Sequence, residues 1–356
     1  MREQIESLLQ AMRSESIDAF IAYKPENTRY LSGFCAKFKG DGQAVVDAGG
    51  VWLYANIMNK EQALAQAHDA RRLTVMEYMT TLGQYLAQKG YKKVAIEENV
   101  LTVQEFDNLK THLPATEFVY GTALLNAVKR HKTAEQLALF RKSCAITEQI
   151  WERVLTFAEP GVTERQIERL ILDLTAQLGA EGPTFTPIVV SGERASQPHG
   201  QPTDKPLAMG DFLTVDMGVI YEGCPSDFTR TVVIGKASDK QREIYEIVRT
   251  AQQKAQDEIM PGMTGRQADK IARDVIEAAG YGQYYPHGLG HGLDDGFRLS
   301  QVPALDLVLH EGMIFTIEPG VYIEGFGGVR IEDMVHLTKD GCVSMYTATK
   351  SLIELT

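Results

Sequence analysis

The sequence predicts two mixed domains: an α/β domain over residues 1–125, and an α+β domain over residues 126–356 built from two similar halves. Three observations support this division. At 356 residues the chain exceeds the roughly 100–200 residues usual for one domain. Helical and strand signals alternate through the first third, whereas strands with hairpins between flanking helices follow it. A turn-plus-helix segment also recurs 101 residues downstream of its first copy within the second part.

Ile5, Leu8, Leu9 and Met12 fall on one face of an N-terminal helix, and the apolar run 19–23 follows as a strand. Segments 51–56 (VWLYAN) and 93–98 (KVAIEE) read as further strands. Segments 61–70 and 81–90 read as helices, the second stopped by Gly90. No cluster of His, Asp or Glu in this domain has ligand-like spacing. Residues 122–135 form the crossing, where Thr133 and Gln136 make a capping box for a new helix.

In the second domain Pro160-Gly161-Val162-Thr163-Glu164-Arg165-Gln166 returns as Pro261-Gly262-Met263-Thr264-Gly265-Arg266-Gln267. At the same offset Asp173 matches Asp274 and Gly179 matches Gly280. Each copy is a turn, a Thr-x-x-Gln capping box and an amphipathic helix ended by glycine. Ile167, Leu170, Ile171, Leu174 and Leu178 form the first apolar face; Ile271, Ala272, Val275, Ile276 and Ala279 form the second. This agreement points to an ancient duplication about a pseudo-twofold axis. Strands are expected at 187–192, 212–221, 229–235, 313–323 and 329–338.

Charge and cysteine usage narrow the function classes. Lys and Arg number 36 against 47 Asp and Glu, a net −11, which argues against a nucleic-acid or anionic-membrane surface. The four cysteines (Cys35, Cys144, Cys224, Cys342) are widely spaced and form no Cys-x-x-Cys pair, as expected of reduced thiols in a cytoplasm. The charged N-terminus lacks the apolar core of a signal peptide, and no apolar run approaches the roughly 18 residues of a membrane span. The expectation is a soluble cytoplasmic protein.

Five residues stand out in the second domain: Asp216 and Glu318 interrupt apolar strands, Asp227 lies between Ser226 and Phe228, His291 sits in a glycine-rich run, and Glu332 follows Val329-Arg330-Ile331. A carboxylate on a buried strand is costly unless its charge is compensated. Four converging carboxylates repel one another, and divalent cations relieve that repulsion. Carboxylate oxygens with one imidazole suit Mn²⁺, Co²⁺, Zn²⁺ or Fe²⁺. The acids exceed what one ion needs, so two ions sharing bridging carboxylates are expected.

In order along the chain stand Asp216-x-Gly218, Ser226-Asp227-x-Thr229-Arg230-Thr231, His287-Gly-x-Gly-His291-Gly, Ile317-Glu318-Pro319-Gly320-x-Tyr322 and Arg330-Ile331-Glu332-Asp333. This set resembles the pita-bread dinuclear metallopeptidases, which include Xaa-Pro dipeptidase (prolidase), aminopeptidase P and methionine aminopeptidase. The stretch Asn27-x-Arg29-Tyr30-Leu31-Ser32-Gly33-Phe34 resembles the N-terminal domain of the prolidase and aminopeptidase P branch. The likeness implies a creatinase-type N-terminal domain and a pita-bread catalytic domain. It also implies hydrolysis of the bond before proline, most readily in dipeptides, by a homodimer using two divalent ions, with Mn²⁺ or Co²⁺ favoured over Zn²⁺ or Fe²⁺.

Carried over residue by residue, the resemblance has Asp216 chelating one ion, Asp227 and Glu332 bridging both, and His291 and Glu318 completing the other. Glu318 would also be the base that takes a proton from the bridging water and passes it to the leaving nitrogen. His199 and His287 match active-site histidines that face the substrate, and Arg330 joins them among the substrate-binding residues. Where the family has a third histidine, seven residues after the ligand histidine, this chain has Arg298. Arg298 either anchors a substrate carboxylate or is an exposed loop charge. The alternative functions are aminopeptidase P, a relative acting on another C–N bond as creatinase does, and an inactive peptide-binding homologue. Creatinase-type members lack the acidic set that is complete here.

Overall fold

The structure, a computed structural model, describes residues 3–303 and 306–356. The chain divides into two compact units, Met1–Lys129 and Arg130–Thr356. The boundary expected after residue 125 falls inside a helix, Thr122–Arg130, whose Leu125 and Val128 pack into the core of the first unit.

In the first unit β1 (Ala19–Ala22), β2 (Gly42–Asp47), β3 (Gly50–Asn56), β4 (Arg72–Met76), β5 (Lys93–Ile96) and β6 (Glu117–Tyr120) form one sheet in the order β4-β3-β2-β1-β5-β6. β1 pairs antiparallel with β2 and parallel with β5. Glu3–Ser14 is the expected amphipathic helix, burying Ile5, Leu8, Leu9 and Met12. The helix expected over 61–70 ends at Gln66, and the one over 81–90 spans Leu82–Leu86 before a turn that reaches Gly90 at φ 69°. Strands β2, β4 and β6 and the helices Pro25–Ser32 and Val103–His112 add to the sequence reading. β4 and β6 lie at the sheet edges and are only partly buried, so their alternation is weak.

The second unit opens with α1 (Ala134–Phe157), capped by the expected Thr133–Gln136 box. The repeated helices are α2 (Glu164–Gln177) and, after a long helix at Asp239–Glu258, α3 (Gly265–Ala278). Both carry reciprocal Thr–Gln boxes, and Gly179 and Gly280 follow them at φ 81° and 85°. The echo extends past the helices. Thr163 bridges Pro206 and Thr264 bridges Val308, while the amides of Gly161 and Gly262 donate to the carbonyls of Leu207 and Leu309. Each capped turn is thus fastened by a matching extended segment about forty residues on, as a duplicated unit requires.

The second unit is centred on β7 (Ile188–Ser191), β8 (Phe212–Met217) and β9 (Phe228–Ile234), which pair antiparallel in that order. A short hairpin joins β10 (Gly290–His291) and β11 (Arg298–Leu299). β12 (Ile314–Ile317) pairs with β15 (Asp333–Thr338), and β13 (Gly320–Ile323) pairs with β14 (Gly327–Arg330). Three expected strands each divide in two. The 212–221 run breaks at Gly218, 313–323 at Glu318-Pro319, and 329–338 at Ile331-Glu332. Proline has no N–H to continue a ladder. Glu332 leaves its own strand line to bridge Thr229 of β9. Two of these three breaks carry the acids singled out above.

Candidate active site

Thr229 organises the acidic cluster. In register it faces Asp216 of β8, and on its other side it bridges Glu332, whose amide donates to the Thr229 carbonyl at 3.0 Å. Directly opposed residues share a sheet face, so the Asp216 and Glu332 carboxylates flank one threonine. The Thr229 hydroxyl donates to Glu332 Oε2 at 2.6 Å and accepts from Arg330 Nε at 3.2 Å. Asp227, two residues before Thr229, projects to the same side.

The other half of the cluster comes from β10 and the end of β12. The Thr316 hydroxyl accepts from the amide of His291 at 3.0 Å and donates to Glu318 Oε1 at 3.1 Å. The Glu318 amide donates to the Leu289 carbonyl at 2.8 Å. Gly290 makes this approach possible, since a Cβ there would lie 2.0 Å from the Thr316 carbonyl oxygen. His291 Nε2 ends 3.3 Å from Glu318 Oε1 and 3.7 Å from Asp227 Oδ2. Its Nδ1 lies 3.1 Å from the Gly292 carbonyl, which can only accept, so Nδ1 donates there. Nε2 is left facing the two carboxylates.

Electrostatics show what is missing. Burial pushes the Asp216 carboxyl up, although Arg330 partly offsets this. Asp227 is held well above the usual carboxylate range by burial and then by repulsion from Asp216 and Glu318. Glu332 is held well above it by burial and then by Asp227 and Glu318. Arg330 is the cation in contact, donating from Nη2 to Asp216 Oδ2 at 2.6 Å. Arg230 lies nearby but is committed to Asp333 at 2.7 Å and to the Glu332 carbonyl at 2.6 Å. One guanidinium cannot balance four carboxylates. Ligand atoms of Asp227, His291 and Glu332 lie within 4.8 Å of one another, and Asp216 Oδ1 is buried with no hydrogen-bond partner among the described residues. Buried oxygen donors with a single imidazole, short of positive charge, fit divalent cations.

An open cleft of about 940 Å³ leads to the cluster, and its lining includes His199, His287, His291, Arg298, Glu318 and Arg330. His199 is exposed, on the loop after β7. Arg298 sits opposite His291 in the β10–β11 register, so its exposed side chain leaves the hairpin on the histidine's face. His287 is more tightly held. Nδ1 faces the Gly288 carbonyl at 2.8 Å, and Nε2 lies 2.9 Å from the Tyr322 hydroxyl. Burial lowers the pKa of His287, so the ring is neutral and Nε2 accepts from Tyr322. The Tyr322 oxygen in turn accepts from Arg330 Nη1 at 3.0 Å.

Thr229, Arg230 and Tyr322 stand within the sequence motifs but have no role predicted from them, although each touches the cluster or its partners. An arginine inside the apolar run Phe228–Ile234 was the available signal for Arg230, because such a charge must be paired when buried. Tyr322 carried no comparable signal, since a tyrosine in a strand is ordinary core.

Comparisons with known proteins identify the family. Residues 138–339 match the model of Metallopeptidase family M24, and residues 4–129 match that of the Creatinase/Prolidase N-terminal domain. The chain is 35% identical to the Xaa-Pro dipeptidase of Pyrococcus furiosus over 99% of its own length and 100% of the relative's. Its fold superposes on the crystal structure of the prolidase from Pyrococcus horikoshii with a TM-score of 0.90 at 33% identity, covering 99% and 100% of the two chains. The X-Pro aminopeptidase from Thermotoga maritima gives 0.89 at 30% identity, covering 98% and 99%. With both family models matched in order and near full-length likeness to relatives, the chain belongs to metallopeptidase family M24, a creatinase/prolidase N-terminal domain followed by a pita-bread catalytic domain.

Proposed function

We propose that the protein hydrolyses the peptide bond before proline, with Xaa-Pro dipeptides as its preferred substrates. The observation that carries this reading is the convergence of Asp216, Asp227, Glu318, Glu332 and His291 around too little positive charge, beside a cleft whose lining includes Asp216, His291, Glu318 and Arg298. The likeness to proteins named Xaa-Pro dipeptidase supports the substrate class.

Asp216, Asp227, His291, Glu318 and Glu332 would hold two divalent cations, Mn²⁺ or Co²⁺ before Zn²⁺ or Fe²⁺. Such ions polarise a scissile carbonyl and make water acidic enough to be a nucleophile at neutral pH. Glu318 takes the proton of the attacking water and delivers it to the proline nitrogen as that bond breaks. Arg330 and Thr229 hold Asp216 and Glu332 in place, so the donors are set before substrate arrives. His287, its Nδ1 hydrogen committed to Gly288 and its Nε2 to Tyr322, orders the cleft wall, and exposed His199 faces the substrate from the loop after β7.

A dipeptide keeps its C-terminal carboxylate one residue from the scissile bond. A guanidinium binds a carboxylate through paired hydrogen bonds of fixed geometry. Arg298, on the same face of the hairpin as His291, is placed to be that anchor. The reading includes a homodimer in the cytoplasm; among the described residues no helix is long and apolar enough to cross a membrane. Comparing an Xaa-Pro dipeptide with an Xaa-Pro-Yaa tripeptide tests the substrate assignment. Faster cleavage of the tripeptide would turn the reading to aminopeptidase P, and cleavage of neither would end it.

A further inference from the structure

An ion pair outside the acidic cluster, its carboxylate buried and its guanidinium partly exposed, holds the loop that carries His287. Asp269, on α3, is fully buried. Its Oδ1 accepts from the Leu289 amide at 2.9 Å and from Arg273 Nη2 at 3.2 Å, and its Oδ2 accepts from Arg273 Nε at 2.8 Å and Gln301 Nε2 at 2.6 Å. Arg273, one helical turn on, donates to the Tyr285 carbonyl at 3.2 Å and to the His287 carbonyl at 2.7 Å. Its guanidinium also stacks over the Tyr285 ring at 4.4 Å, and that ring meets His287 edge-on at 5.1 Å. One side-chain pair thereby grips the backbone at 285, 287 and 289, each alternate residue of the segment. From Leu289 the connection continues, because its carbonyl receives the Glu318 amide.

The first half of the domain uses a similar device at a different position. Glu164, also fully buried, accepts from the Ser191 amide and hydroxyl, from the Thr203 amide and hydroxyl, and from Arg194 Nε. Arg194 donates onward to the Gln201 carbonyl at 2.6 Å. The loop so fastened carries His199. Glu164 corresponds to Gly265 in the repeat and not to Asp269, so the two clamps are separate solutions on equivalent helices. A carboxylate and arginine locked by five or more hydrogen bonds inside the fold hold geometry more firmly than a loop could alone.

We propose that Asp269, acting with Arg273, is a positioning residue that sets the orientation of the His287 ring and, through Leu289, the backbone of Glu318. It touches no substrate. Removing its charge leaves the partly exposed Arg273 beside a neutral amide, so the grip on residues 285–289 loosens, while the contacts among Asp216, Thr229, Arg330 and Glu332 lie outside it. The assignment of His287 and Glu318 to the reaction rests on the function proposed above.

The test is Asp269→Asn in the zinc-loaded protein, with the His287 ring nitrogens followed by NMR and assigned by their loss in His287→Gln. The expected result is a folded variant that binds zinc like the parent, with displaced His287 ring signals and kcat for an Xaa-Pro dipeptide lowered by about 10²-fold, the cost of a small misplacement. Glu164→Gln should leave the His287 signals in place. If Asp269→Asn fails to fold, Arg273→Lys keeps the charge but loses the fork, and should displace the same signals less. Parental His287 signals in a folded Asp269→Asn or Arg273→Lys variant would overturn the proposal and leave the pair a merely stabilising one. Should the parent cleave no Xaa-Pro peptide, the functional reading falls while the ring signals still decide the clamp.

Discussion

Arg330 Nη2 donates to Oδ2 of Asp216 at 2.6 Å, while Oδ1 of the same carboxylate is buried with no hydrogen-bond partner among the described residues. The described fold thus satisfies one oxygen of this carboxylate and leaves the other without a donor. Among the described residues one arginine, Arg330, forms an ion pair with these four acids, Asp216, Asp227, Glu318 and Glu332. The remaining compensation must come from protons or from cations.

That choice gives a pH-dependent effect of chelation. Asp216, Asp227 and Glu332 have pKa values raised above the unfolded-chain range, so the metal-free fold binds more protons than the unfolded chain. The stability tied to their neutral forms is present below the ordinary carboxylate pKa and is lost as pH rises through the raised values. Bound cations remove that loss. The melting-temperature gap between metal-loaded and chelated protein should widen from about pH 5 to about pH 8. A gap that stays constant or narrows over this range would contradict the assignment.

Glu318→Gln keeps the size of the side chain and removes its basicity. With cation content matched to the parent, kcat should fall by about 10²–10⁴-fold, with a smaller change in KM. Turnover near the parental rate in a variant carrying the parental metal complement would take Glu318 out of the proton transfer.

Gly290→Ala tests the close contact between β10 and β12. The added methyl would lie 2.0 Å from the backbone oxygen of Thr316, between His291 and the residue whose hydroxyl holds both His291 and Glu318. Backbone cannot yield as a flexible side chain can, so the two strands must separate. The expected outcome is weakened cation binding, read by calorimetric titration, with folding largely retained because the hairpin is short. Parental affinity would show that the strands part without moving His291.

Much of this centre was legible in the sequence, because a charge interrupting an apolar strand is conspicuous and five candidate residues stood in order. The duplicated capping boxes were equally plain, since Thr163–Gln166 and Thr264–Gln267 are local signals that tertiary contacts do not override. The broken strands were not legible. Glu332 leaves its ladder to pair with Thr229 more than a hundred residues away, and no local pattern encodes such a bridge. Asp269 and Arg273 were hidden for a related reason. On the sequence they are an ordinary i, i+4 helix pair, and only the return of residues 285–289 over that helix face turns them inward.

Arg298→Ala addresses substrate length. If the guanidinium holds the C-terminal carboxylate, KM for an Xaa-Pro dipeptide should rise by about 10–150-fold, equivalent to about 1.5–3 kcal/mol for a hydrogen-bonded charge. The corresponding Xaa-Pro-amide, neutral at that end, should be nearly unaffected. Equal losses on acid and amide, or none on either, would reduce Arg298 to a solvated loop charge.

The central claim is that this cleft is a two-cation centre for cleaving the bond before proline, and one titration tests it most directly. Chelated protein receives Mn²⁺ in measured equivalents per chain while hydrolysis of an Xaa-Pro dipeptide is followed. The account predicts no activity without metal and a rate that reaches its plateau at two equivalents, because Asp216, Asp227, His291, Glu318 and Glu332 offer more ligands than one ion can use. A plateau at one equivalent, or no Xaa-Pro hydrolysis at any loading, would contradict it.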